Sequence, residues 1–135
     1  MSAAEAFFDT NVLLYLLSPD VAKADRAETL IADGGIISVQ VLNEFASVAS
    51  RKLGMAWAEI RDVLGLVRAL CRIEPITLDA HERALTLAER YGFSFYDATI
   101  VASALLAGCH ILYTEDMQND QRIEDCLLLS DPFRR

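Results

Sequence analysis

The chain has 135 residues, 53% of them hydrophobic, with twelve Lys and Arg against twenty Asp and Glu and a formal net charge of −8. That length suits one domain over 1–135 with a real core, and the composition excludes a disordered tail. The acidic balance works against nonspecific nucleic-acid binding, since cations recruit the phosphate backbone, and it suits a basic protein partner. Any action on RNA therefore calls for a metal ion to offset charge locally.

In chain order, Ala6-Phe7-Phe8 is a short apolar run ending at Asp9 and predicts a buried strand. Thr10–Leu17 follows as a helix capped by Asp9 or Thr10, and a second helix starts at Pro19 and ends at Gly34-Gly35. Ile36–Ser38 predicts a second strand, Val39–Leu53 a helix, and Met55–Cys71 another. Ile73–Ile76 reads as a third strand, at an edge because Pro75 cannot donate to a ladder. Leu78–Tyr91 and Phe95–Ala107 are helices closed by Gly92 and Gly108. Ile111–Tyr113 predicts a fourth strand and Leu127–Leu129 a fifth, with a polar loop between them. Short strands alternating with helices predict a three-layer α/β/α sandwich around a parallel sheet of four to five strands.

No run of about 18 apolar residues is present, and the start, MSAAEAFFDTN, lacks a basic n-region, so the expectation is a cytoplasmic protein without a membrane segment. Cys71, Cys109 and Cys126 show no metal-ligand spacing and read as buried thiols of a reducing compartment. His81 and His110 are isolated and read as structural.

Ligand sites of open parallel sheets lie beyond the carboxyl ends of the strands. Asp9 follows the first strand, and Thr114, Glu115 and Asp116 follow the fourth. Asp97 falls in the middle of the apolar face formed by Ile100, Val101, Ala104 and Leu105, where an unpaired charge is costly. Glu44 borders the apolar stripe of its helix. Each acid has a plainer reading: Asp9 as a helix cap, Ser94-x-x-Asp97 as a capping box, Glu44 as a solvated side chain, Asp116 as a loop acid. Together they read otherwise. Four converging carboxylates repel one another unless a cation sits between them, and such oxygen-rich sites suit Mg²⁺ or Mn²⁺.

The segments FFDTNVLLYLL, NEF, FYDATIVASALLAGCHILYTEDMQ and DPF together resemble the PIN-domain family, in particular the VapC-type toxins of toxin–antitoxin pairs, over roughly Ala6 to Phe133. The resemblance implies a Mg²⁺- or Mn²⁺-dependent endoribonuclease that cleaves an RNA phosphodiester with metal-activated water. By position, Asp9, Glu44, Asp97 and Asp116 match the family's catalytic acids, with Asp9, Asp97 and Asp116 expected on the metal. Asn11 matches a residue supporting the first acid, and Thr114 a hydroxyl beside it. A cognate antitoxin and a homodimer are implied as partners, with Trp57, Leu64 and Val67 open to serve the dimer or the core. Two features depart from the family pattern. Glu115 and Asp120 compete with Asp116, and cations near the cleft are few, Arg51 and Lys52 being the nearest in sequence. A non-catalytic binding module is the alternative. A phosphatase with Asp9 as nucleophile fits less well, because Asn11 stands where such enzymes carry a second acid.

Overall fold

The computed structural model describes residues 5–134. Six strands form one sheet: β1 (Ala6–Phe8), β2 (Gly35–Ser38), β3 (Cys71–Glu74), β4 (Ile111–Tyr113), β5 (Arg122–Ile123) and β6 (Leu127–Ser130), in the order β3-β2-β1-β4-β6-β5. All neighbours pair in parallel except β5 with β6. The helices are α1 (Thr10–Leu14), α2 (Val21–Ala32), α3 (Val39–Arg51), α4 (Trp57–Leu70), α5 (Leu78–Tyr91) and α6 (Phe95–Leu106). The chain adds β2 and β3 on one side of β1, then returns to add β4 on the other. Right-handed crossovers consequently set α1–α4 and α5–α6 on opposite faces of the sheet, which gives the expected three layers.

The central strands are apolar because both of their faces are covered. Phe7, Phe8, Ile36, Ile37 and Leu112 are buried, with Phe45, Leu87 and Ile100 packing from the helices. At Gly35 the sheet leaves no room for a side chain: a Cβ would lie 2.6 Å from the Phe8 ring and 2.7 Å from the Ala6 carbonyl.

Several expectations need correction. The first helix is α-helical only to Leu14 and tightens into a 3-10 turn over Tyr15–Leu17. Pro19 does not start α2; Asp20 does, its carboxylate accepting from the Lys23 N–H at 3.3 Å. The third strand ends at Glu74, since Pro75 lacks the donor to extend it, but it is an edge strand as predicted. The polar loop before β6 hides β5. Glu124 and Asp125 both take left-handed backbone angles, φ 52° and 57°, and the Cys126 N–H closes on the Ile123 carbonyl. That is the geometry of a type I′ hairpin turn, which glycine or asparagine normally announces in a sequence. Cys126 is exposed, whereas Cys71 and Cys109 are buried and burial pushes both thiols up to about 11. Val67 belongs to the core, while Trp57 stands 65% exposed. Among the described residues no helix is long and apolar enough to cross a membrane.

Candidate active site

The site forms where the order of the sheet reverses. β1 and β4 lie side by side, and their outward connections leave in opposite directions, opening a crevice at their carboxyl ends. Phe8 pairs with Tyr113, so the next residues, Asp9 and Thr114, emerge together into that crevice. The Asp9 N–H donates to the Tyr113 carbonyl at 3.0 Å and continues the ladder to this point.

Asp9 is only 5% exposed. It caps α1, its Oδ1 accepting from the Thr10 N–H at 2.7 Å. Its Oδ2 accepts from Thr114 Oγ1 at 2.8 Å and from the Asn11 amide at 3.4 Å. Burial raises the Asp9 carboxyl; the hydrogen bonds from Thr114 and Thr10 oppose this, and the like charges of Asp116 and Asp97 add to it. The result is a pKa of about 6. The capping reading and the site reading therefore hold together for one side chain, because each carboxylate oxygen serves a different neighbour.

Asn11 spans the site. Its Nδ2 donates to Asp116 Oδ2 at 3.1 Å as well as to Asp9, and its Oδ1 accepts from the Glu115 N–H at 3.2 Å. Thr114 accepts from the Asp116 N–H through the hydroxyl it donates to Asp9. Asp116 is thereby held beside Asp9. Its two competitors are engaged elsewhere. Glu115 takes the Tyr15 hydroxyl at 2.5 Å and the Lys23 ammonium at 3.6 Å, and Asp120 accepts from the Asn119 amide.

Asp97 sits in the first turn of α6. Ser94 Oγ accepts from the Asp97 N–H at 3.3 Å, the Ser94 half of the capping box. The carboxyl is raised above its ordinary value by burial and by the charges of Asp116 and Glu44, against the hydrogen bond with Ser94. Glu44, on α3, accepts from Thr10 Oγ1 at 3.1 Å and from Gln40 Nε2 at 2.6 Å. Gln40 also donates to the Tyr96 carbonyl at 3.3 Å and accepts from Thr99 Oγ1, which ties the start of α3 to the start of α6. The four acids thus share one electrostatic field. Among the described residues, no three His, Cys, Asp or Glu side chains stand at metal-holding spacing.

Thr10 and Gln40 hold Glu44, and Thr99 holds Gln40 in turn, three residues not singled out for the site from the sequence. The Gln40–Glu44 spacing of four on one helix is a signal for Gln40 alone. It also missed Lys23, which stacks on Tyr15 at 4.8 Å from the ring centre and flanks the crevice through Glu115. Arg51 and Lys52 lie at the far end of α3, about 10 Å along the axis beyond Glu44. Ser38, which the β1–β2 register sets alongside Asp9, buries a hydroxyl with no partner among the described residues.

Comparison with known families decides the assignment: the PIN domain matches residues 6–122. The chain belongs to the PIN-domain family. Solved structures agree with that placement. This PIN domain is similar to the sarcin-ricin-loop-cleaving toxin VapC20 of Mycobacterium tuberculosis, with a TM-score of 0.67 and 25% identity over 82% of this chain and 89% of that one. It shares its fold with a toxin–antitoxin complex from Klebsiella pneumoniae, at TM-score 0.71 and 23% identity over 96% and 99% of the two chains. The same holds for VapBC2 of Rickettsia felis bound to a promoter DNA fragment, at 0.65 and 21% over 93% and 96%. No curated protein sequence gives a significant match.

Proposed function

We propose that this PIN domain is a metal-dependent endoribonuclease of the VapC toxin type, held in check by a cognate antitoxin. The observation that carries the reading is the crowding of Asp9, Asp97, Asp116 and Glu44 at the switch point of the sheet, with the Asp9 carboxyl pushed up to about 6. By its chemistry the donor set suits a hard divalent cation, although no three of the described acids stand at metal-holding spacing: the four acids offer only carboxylate oxygens, and a buried acid pressed by two like charges is relieved by a positive ion. Asp9, Asp97 and Asp116 would hold it. When bound, Mg²⁺ or Mn²⁺ supplies Lewis acidity, acidifying water and offsetting charge on a phosphodiester.

The chain's own residues do the rest. Thr114 and the Thr10 N–H fix Asp9, and Asn11 fixes Asp116 relative to it. Glu44, held by Thr10 and Gln40, keeps its carboxylate at the crevice to accept a hydrogen bond from the attacking water and orient it. The aspartate-nucleophile reading gains no support, because Asn11 stands where such enzymes carry a second acid and its amide is spent on Asp9 and Asp116. RNA as the substrate and an antitoxin as the partner rest on the likeness to VapC20 and to the two antitoxin-containing structures. A homodimer is part of the same reading.

Incubation of the purified chain with single-stranded RNA tests it. Cleavage is expected with Mn²⁺ or Mg²⁺ and is lost in EDTA and in Asp97→Asn. Full metal-dependent cleavage by Asp97→Asn would refute the site, and binding of neither ion in calorimetry would favour a non-catalytic module.

A further inference from the structure

Beside the acid site, and sharing Glu44 with it, a groove of about 460 Å³ opens between α3, α5 and α6. Its walls include His81, Phe95, Tyr96 and Ile76, with Asn43 and Ser47 from α3. Phe95 meets His81 edge-on at 5.5 Å between ring centres and Tyr96 at 6.1 Å, so the three rings form one cluster. Tyr96 is 71% exposed, Ile76 54% and Phe95 38%. Aromatic surface left open beside a charged site marks a place where something is bound.

The chemistry of the walls narrows the occupant. Neither Lys nor Arg lines the groove, and its one ionisable acid is Glu44, so it repels phosphate. A flat, uncharged ring with a hydrogen-bonding edge fits: it can stack on the aromatic cluster, and the exposed Asn43 amide offers both a donor and an acceptor to that edge. Gln40 is not available for this, its amide being committed to Glu44 and Thr99. Tyr96 and Asp97 are successive residues in the first turn of α6. They present an aromatic ring to the groove and a carboxylate to the acid site, as a base and its phosphate succeed each other in a nucleotide.

We propose that this groove is a nucleobase subsite, taking the base of the nucleotide next to the scissile phosphodiester, stacked on Tyr96 and Phe95 with its edge read by Asn43. The proposal rests on the reading that an RNA strand occupies the acid site, but its test requires no cleavage. The full chain in EDTA is titrated with the four ribonucleosides, which carry no phosphate to be repelled by the acids, while the aromatic resonances of His81, Phe95 and Tyr96 are followed by NMR. Ribose is the control lacking a base. The nucleosides are expected to move these resonances, ribose to leave them in place, and Tyr96→Ala to weaken binding at least tenfold, within the range that loss of one stacked base gives. Tyr96→Trp, which keeps a stacking surface, should restore it and separates lost stacking from lost folding. Equal shifts with ribose, or none with any nucleoside, would overturn the subsite. So would resonances that respond only to a peptide from a copurifying protein, which would make the groove a protein-docking surface. Loss of RNA cleavage in Asp97→Asn is read separately, so the acid site and the base subsite can fail independently.

Discussion

Replacing Asp9 with Asn should stabilise the ion-free fold while destroying the site. The wild-type carboxyl is raised from 3.8 to about 6, which disfavours its charged form by about 3 kcal/mol at neutral pH. Asparagine removes that penalty. Its carbonyl can keep the cap on Thr10, but its amide now faces the Asn11 amide and the Thr114 hydroxyl, which costs about 1 kcal/mol of hydrogen bonding. The net gain is about 2 kcal/mol, or about 6–8 °C in Tm for a chain of this size. The pH dependence follows from the direction of the rise. Below about pH 4 both folded and unfolded chains carry a protonated Asp9 and the penalty is absent. Between the unfolded value and about 6 the folded state alone retains the proton, so wild-type stability falls as pH rises, and above that window the penalty is complete. Thermal unfolding by circular dichroism in EDTA at pH 4 and pH 7.5 measures both ends. The variant should be the more stable protein at pH 7.5 and lose that advantage at pH 4. Added Mn²⁺ should then raise the Tm of wild type alone. A difference between the two proteins that does not change with pH would refute the argument, because burial of the Asp9 charge could not be its source.

Three further outcomes are expected. Gly35→Ala should lower stability by about 2–3 kcal/mol in urea unfolding, because the new Cβ meets the Phe8 ring and the Ala6 carbonyl inside van der Waals contact. Gln40→Leu, which keeps approximate volume but removes the donor to Glu44, should retain its circular dichroism spectrum while cleavage falls about 10–100-fold, as for other residues that orient a metal site from behind; an undiminished rate would deny Gln40 a positioning role. Native protein at pH 8 should titrate one thiol with Ellman's reagent, the exposed Cys126, and all three only after unfolding, because Cys71 and Cys109 are buried with their thiols pushed up to about 11.

Local chemistry was enough to read most elements from the sequence. A strand such as Ala6–Phe8, buried on both faces, must be apolar, and the Leu78–Tyr91 helix carries its cap at Thr77 and its left-handed stop at Gly92. Asp9 and Asp97 were legible for the same reason: a carboxylate at a strand end or on an apolar helix face violates a local pattern. What local pattern does not encode is pairing across the chain. β5 went unseen because Glu124 and Asp125 take turn angles that their side chains do not advertise. Asp116 is turned toward Asp9 by Asn11, and Glu115 is held by Tyr15 and Lys23, partners about a hundred residues away. The hold on Glu44 likewise needed α3 and α6 brought together by Gln40, Thr99 and Tyr96. Asp9 and Asp97 are thus out of place on their own elements before any tertiary contact is considered. The reversal of strand order between β1 and β4 decided that those acids share one crevice, and only there could burial and mutual repulsion raise Asp9 and Asp97 together.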